Sequence, residues 1–293
     1  MGSITSWVVV RRRGRGYGRA VTTAQRTAAP TVGDLLRHWR QEARRSQLDL
    51  ASASGVSARH LSFVETGRAQ PSRALLLHLA EHLEMPLRER NALFLAAGYA
   101  PAYAESDLGA EHLRSARDAL AHLLEGHEPY PALVLDRWGD VLMTNGATAP
   151  LLDAVDPALL AAPNAYRIGL HPDGLLRRLR NPAPWIAHLG QRLARAVRWS
   201  GDPRLAELLT EIRSYPGVAA VLDARPDPGA HELLLTVTLT DPRGELRLHT
   251  AVTTFGGPHD VTLAELAVES FFPADAATRA RLHAAAPELA SRA

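Results

Sequence analysis

The stretch from Gln47 to Gly67, QLDLASASGVSARHLSFVETG, constrains the fold of this chain more than any other, because its punctuation reads as two short helices joined by a tight turn at Gly55-Val56-Ser57. Ser46 stands where a side chain caps the first helix, and Leu50 and Ala51 give that helix an apolar, small inner face. Gly55 permits the positive φ that a helix-ending turn often needs, and Ser57 is placed to cap the second helix. On the second helix Leu61 and Val64 turn inward, which leaves Ala58, Arg59, Ser62 and Phe63 on the outward face. A capped helix carrying an arginine at an exposed edge has the size and charge to enter a DNA major groove.

The charge distribution supports that reading. Residues 1–100 carry 15 Arg against 7 acidic residues, whereas residues 101–293 carry 18 Arg against 24. Phosphate contacts supply most non-specific affinity for nucleic acid, so only the basic front is expected to meet a polyanion. Every basic residue apart from histidine is arginine, which reflects a GC-rich coding sequence and is discounted as a signal in itself. At 293 residues the chain is expected to form two domains, each with its own core. Zero cysteines fits a reducing compartment, and no uninterrupted apolar run reaches membrane-spanning length, so the expected location is the cytoplasm, in association with the nucleoid when DNA is bound.

Around the central pair the pattern stays helical from Thr31 to Gly98. Leu35, Leu36 and Trp39 form one stripe, Ser72 caps a helix striped by Leu75, Leu76, Leu79 and Leu83, and Pro86 opens a further helix closed by Gly98. The spacing predicts five helices over residues 31–98, an all-α domain. Residues 1–30, with RRRGRGYGR, read as a disordered basic extension, either an arm for the DNA backbone or an over-long start. Residues 99–126 read as a linker and a connecting helix, 127–284 as a second domain, and 285–293 as a tail. In the second domain YPALVLDRWGDVLMTN gives two short strands and ELLLTVTLTDPRGELRLHTAVTTFG two longer ones about a turn at Asp241-Pro-Arg-Gly244, with amphipathic helices between them. An α+β domain with an antiparallel sheet follows.

SQLDLASASGVSARHLSFVETGRAQPS, continued by PLRERNALFLAAGYAPAYAE, resembles the Xre-type helix-turn-helix of phage-repressor-like regulators, and in particular the MmyB-like actinobacterial regulators. YPALVLDRWGDVLMTN, LHPDGLLRRLRNPAPWIAHL and TTFGGPHDVTLAELAVESFFPAD resemble the PAS-like ligand-binding domain of the same group, which is associated with a bound fatty acid. The resemblance implies that Gln47 meets a phosphate at a helix N-terminus, and that Ser57, Ala58, Arg59, His60, Ser62 and Phe63 face the bases and backbone. Arg59 suits guanine O6 and N7, Ala58 or Phe63 a thymine methyl, and Arg68 and Arg73 suit phosphates. Phe63 is equally readable as a core residue. Glu65 would repel phosphate if exposed, so an internal partner such as Arg44 or Arg45 is expected.

In the second domain, alternating Leu133/Leu135 and Val237/Leu239, together with Trp185, Leu189, Leu193 and Val197 on one helix, line either a pocket or an ordinary core. A fatty acid would need a polar mouth for its carboxylate, with Asn145, His171, Arg192 and Arg195 the candidates. No G-x-S-x-G, H-E-x-x-H, cysteine nucleophile or Walker loop is present, and the histidines are scattered, so neither an enzyme nor a metal site nor a cofactor is expected beyond a bound effector. The expectation is a homodimeric regulator of a double-stranded operator that senses a small apolar ligand. The rival is a constitutive DNA-binding protein whose second domain only dimerises or binds proteins, and a filled core would distinguish it.

Overall fold

The computed structural model of the chain describes residues 30–224, 235–257 and 259–290. Two compact units emerge, and the expected basic extension before Pro30 lies outside the described residues. The first unit holds residues up to 107 and takes in a short segment ending at 264; the second holds 108–256 and the chain from 265 onward.

The first unit is built from α1 (Val32–Glu42), α2 (Gln47–Ser54), α3 (Ala58–Glu65), α4 (Arg73–His82) and α5 (Leu87–Ala96). Four serine or threonine caps set its helix starts. Thr31 and Ser46 each form a reciprocal capping box, with Asp34 and Asp49, while Ser57 and Ser72 accept from the backbone of His60 and Leu75. Gly55 ends α2 at φ +66°, a left-handed conformation that L side chains rarely adopt. Leu36, Leu50, Leu61, Val64, Leu76, Leu79 and Leu93 are fully buried and form the core. Gly33 brings α1 against the end of α3 so closely that a Cβ there would stand 2.5 Å from the Glu65 carbonyl oxygen.

Glu65 is buried, and its partners are Arg40, Arg37 and Gln47 rather than Arg44 or Arg45. Arg40 grips it with two hydrogen bonds, at 2.7 Å and 2.9 Å, and the Gln47 amide donates at 2.8 Å. Arg37 adds an ion pair at 3.7 Å and donates to the Glu65 carbonyl. The helical period explains the choice: Arg40 lies one residue after the buried Trp39 and faces α3, whereas Arg44 sits at φ +53° in the turn beyond α1. Burial works against this charge, yet the hydrogen bonds from Arg40 and Gln47 outweigh it and hold the carboxyl below its ordinary range.

Residues 99–107, read from sequence as linker, are fixed to this unit. The Asn91 side chain accepts from Ala102 and Tyr103 and donates to the Tyr103 carbonyl at 2.7 Å, and Arg88 pairs with Glu105 at 2.6 Å. Ala104 bridges in parallel to Asp260, and Val261 donates back to Ala104 at 2.8 Å, which ties the short helix Val261–Ala264 to the same unit.

The second unit begins with α6 (Arg114–Gly126) and contains β1 (Ala132–Leu135), β2 (Val141–Thr144), β3 (Thr236–Asp241), β4 (Gly244–Thr254) and β5 (Ala267–Pro273). All ladders are antiparallel and the spatial order is β2-β1-β5-β4-β3, with helices inserted between β2 and β3: the α+β, PAS-like arrangement. The turn at Asp241–Gly244 joins β3 to β4 as the sequence indicates. The central strand, β5, does not alternate. Its AVESFFP run is buried at four of its first five positions, so it lacks the polar-out rhythm by which half-buried strands are recognised. The insert holds α7 (Ala149–Leu152), α8 (Pro157–Leu160), α9 (Ala165–Leu170), α10 (Pro182–Ser200), α11 (Pro203–Arg213) and α12 (Val218–Asp223). The residues read as a tail from 285 continue a final helix, Ala276–Ala290.

Glu65→Ala would leave Arg40 largely buried without its partner, and the expected loss is about 3 kcal/mol in denaturant unfolding of the first unit. Because the folded carboxyl is held below its ordinary value of 4.5, the wild-type contribution is complete above that pH and fades as pH falls through the lowered value; the alanine variant should lack this acid-sensitive component.

Candidate functional site

The outward face of α3 carries Arg59 and His60, both exposed, with Ser62 and Phe63 half-buried beside them. The Arg59 guanidinium lies 5.3 Å from the centre of the Phe63 ring. Phe63 is absent from the core cluster; it forms an apolar bed that holds the arginine off the surface, a cation-π contact worth about 0.5–1 kcal/mol at an exposed site. Ala58, by contrast, packs against the core. Ser57 spends its hydroxyl on the cap. Arg68 and Arg73 are exposed, and the Arg73 guanidinium stands 5.4 Å from the Phe94 ring centre. Neither Arg59, Arg68 nor Arg73 forms an ion pair with a described residue, so three guanidinium charges near α3 and the following loop are left for an external anion. Gln47 differs: its side-chain amide is engaged by Glu65, which fixes the start of α2 against the end of α3.

The second unit holds a partly open cavity of about 440 Å³. Its walls come from Leu133 of β1, Val141 and Thr144 of β2, the three short helices α7, α8 and α9, Trp185 and Leu189 of α10, and Glu269 and Phe271 of β5. Two prolines, Pro182 and Pro184, open α10 behind Asn181, and Trp185, Ile186, Leu189 and Leu193 then fall on its buried side. The Trp185 indole donates to the Gly169 carbonyl at 3.2 Å, satisfying its buried N–H. Gly169 has no room for a side chain, since a Cβ would stand 2.8 Å from Leu189.

The residues read as ligand-binding separate into groups. Leu133, Trp185 and Leu189 lie on the cavity wall. Leu135 is buried elsewhere: the β1–β2 register shifts between Val134 and Leu135, which breaks the alternation that groups it with Leu133. Val237 and Leu239 belong to the packed core beside Leu246 and Leu248. Asn145 is fully committed to backbone and hydroxyl partners. It accepts from Ala132 and Thr148, both at 3.0 Å, and donates to Tyr130 at 2.7 Å and Leu124 at 3.3 Å, so it holds β1, β2 and α6 together rather than facing a ligand. His171 accepts from the Asp173 backbone at 3.0 Å and packs edge-on against Tyr215, which is turn chemistry. Arg195 is exposed. Arg192 reaches the site through a neighbour, donating to Glu269 at 3.2 Å.

Glu269 is the residue that sequence reasoning passes over. It is 4% exposed, lines the cavity, and burial pushes its carboxyl above the ordinary range while Arg192 acts the other way. The signal is an acid inside an apolar run, AVESFF, on a strand that offers no polar face.

Residues 116–285, more than half of the chain, match the family model described as MmyB-like transcription regulator ligand binding domain. The chain belongs to this family. Residues 31–93 match a model described as helix-turn-helix domain, which covers the basic unit with α3. Among curated proteins none matches the chain. An MmyB-like ligand-binding domain joined to a helix-turn-helix describes a DNA-binding regulator with a ligand-sensing part. Among the described residues no helix is long and apolar enough to cross a membrane.

Trp185→Ala would remove a wall of the cavity together with the indole's hydrogen bond, and it is expected to destabilise the second unit by about 3–5 kcal/mol. Thermal unfolding followed by circular dichroism, with and without an added acyl compound, measures both the loss and any recovery by a ligand that fills the space.

Proposed function

We propose that this chain is a sequence-specific transcription regulator that binds a near-palindromic operator as a homodimer and whose MmyB-like domain senses a small apolar ligand of the fatty-acid class. The cavity carries this reading over its rival. Its walls are almost wholly apolar, and a concave apolar pocket of about 440 Å³ with few polar groups has the form of a small-molecule site, which a domain that only dimerises does not need. Apolar walls left facing water carry a free-energy cost that an apolar ligand relieves.

For the first unit, α3 would enter the major groove with Arg59, His60, Ser62 and Phe63 toward bases and backbone, Arg59 reading guanine from its bed on Phe63, while Ser57 caps the helix and Ala58 packs inward. Arg68 and Arg73 would meet phosphates. Gln47, with its side chain held by Glu65, would serve the phosphate through the N-terminal end of α2 that it positions. Two copies would place their half-sites about one helical turn apart. A ligand alters operator occupancy only if it binds the two states of the dimer with different affinity. The cytoplasm is the compartment this role requires.

Selection of DNA by the full chain from a random pool should enrich a palindromic motif. Against that motif Arg59→Ala is expected to weaken binding by about 1–3 kcal/mol while leaving the unfolding midpoint unchanged. A pool that yields no motif would count against sequence-specific binding, and an unchanged affinity would remove Arg59 from the readout.

A further inference from the structure

The cavity holds two acidic groups on its walls, Asp153 and Glu269, and no basic one. Asp153 is exposed beyond the end of α7, whereas Glu269 sits in the middle of β5, paired across the sheet with Leu133 and Val252. Its Oε2 accepts from Arg192, and no described residue hydrogen-bonds its Oε1. Thr144 is the other lining residue with a hydroxyl not committed elsewhere, since Thr148 donates to Ala132. Beside Glu269 stand Arg192 on α10, which forms an ion pair with it, and Tyr166 on α9, while Asp153 lines the same pocket. Among the described residues only Asp260 Oδ2 is a sealed side-chain oxygen without a partner, so Oε1 of Glu269 faces the open space of the pocket and accepts from a donor placed there. One guanidinium balances one carboxylate, and a second carboxylate brought into the same apolar space would be buried without a counter-charge.

We propose that Glu269 selects the polar end of the ligand, so that the cavity takes an acyl- or alkyl-chain molecule whose end group donates a hydrogen bond, such as an alcohol or a primary amide, in preference to an ionised carboxylate. This rests on the apolar-ligand reading above and refines its chemistry: the chain fits the walls, and the end group answers Oε1 of Glu269. An ionised fatty acid enters only if the two carboxylates share a proton, because like charges in hydrogen-bond reach cannot both remain ionised. Burial already raises the Glu269 carboxyl, so the pair can take up that proton at acidic pH and loses it as the pH rises. At pH 8 the donor-ended molecules therefore win.

The test uses the full chain at pH 8 and four molecules of equal chain length: 1-dodecanol, dodecanamide, dodecanoate and methyl dodecanoate, each displacing a fluorescent acyl probe. The alcohol and the amide are expected to bind about tenfold or more tightly than dodecanoate, and more tightly than the ester, which accepts but cannot donate; the factor is that of a hydrogen bond to a charged acceptor. Glu269→Gln, close in shape, should bring dodecanoate to within about threefold of dodecanol, since the amide removes the repulsion and can itself donate. Dodecanoate binding as tightly as dodecanol to the wild-type chain would overturn the assignment, as would an unchanged order in Glu269→Gln at normal folding. The wild-type series needs no variant to fold. Probe uptake with displacement by dodecanoate alone sinks the end-group assignment and leaves the acyl reading standing, whereas binding of neither probe nor any of the four overturns both.

Discussion

The two hairpins of the C-terminal sheet do not touch each other, and everything in that domain depends on the strand that joins them. β1 pairs with β2 and β3 with β4, each by a local turn; β5 arrives from the far end of the sequence and completes ladders to β1 on one side and β4 on the other. It must be apolar on both faces to lie in the centre. The same requirement leaves Glu269 only 4% exposed, and the helices inserted between the hairpins line the pocket on that face of the sheet. Position in the ladder, rather than any special loop, creates a cavity with one buried acid in its wall.

A comparable dependence runs through the first unit. α3 presents Arg59 outward only because its inward side is pinned twice, by Leu61 and Val64 in the core and by Glu65 beneath the guanidinium of Arg40. Gly33 allows that approach and Gln47 extends the same contact to the start of α2. The acid in α3 thus supports that outward face from within: its charge is neutralised by α1, so it adds no repulsion toward an anion there.

Much of the first unit could be read directly from residues, because its signals are local. Serine and threonine caps, the glycine after α2 and the leucine stripes each act within one or two turns, and they set the helices where the pattern puts them. The second unit is legible only in its hairpins. β5 escapes because a doubly buried strand has no alternation, and α7, α8 and α9 escape because helices of four to six residues carry too few turns to show a period. Asn145 and His171 looked like ligand groups by type alone; only their partners, far apart in sequence, assign them to the scaffold. Sequence proximity points to Arg44 or Arg45, in the turn after α1, as the partner of Glu65, whereas the helical face chooses Arg40.

The claim at the centre of this account is that the C-terminal cavity is occupied in the working protein by an apolar molecule. The most direct measurement is native mass spectrometry of the full chain purified without detergent, followed by identification of whatever an organic solvent extracts from it. A single chain-bearing compound at about one equivalent per protomer is the predicted result. A chain that carries nothing after native purification, and that takes up no acyl compound when offered one, would contradict the account and return the domain to the role of an interaction module.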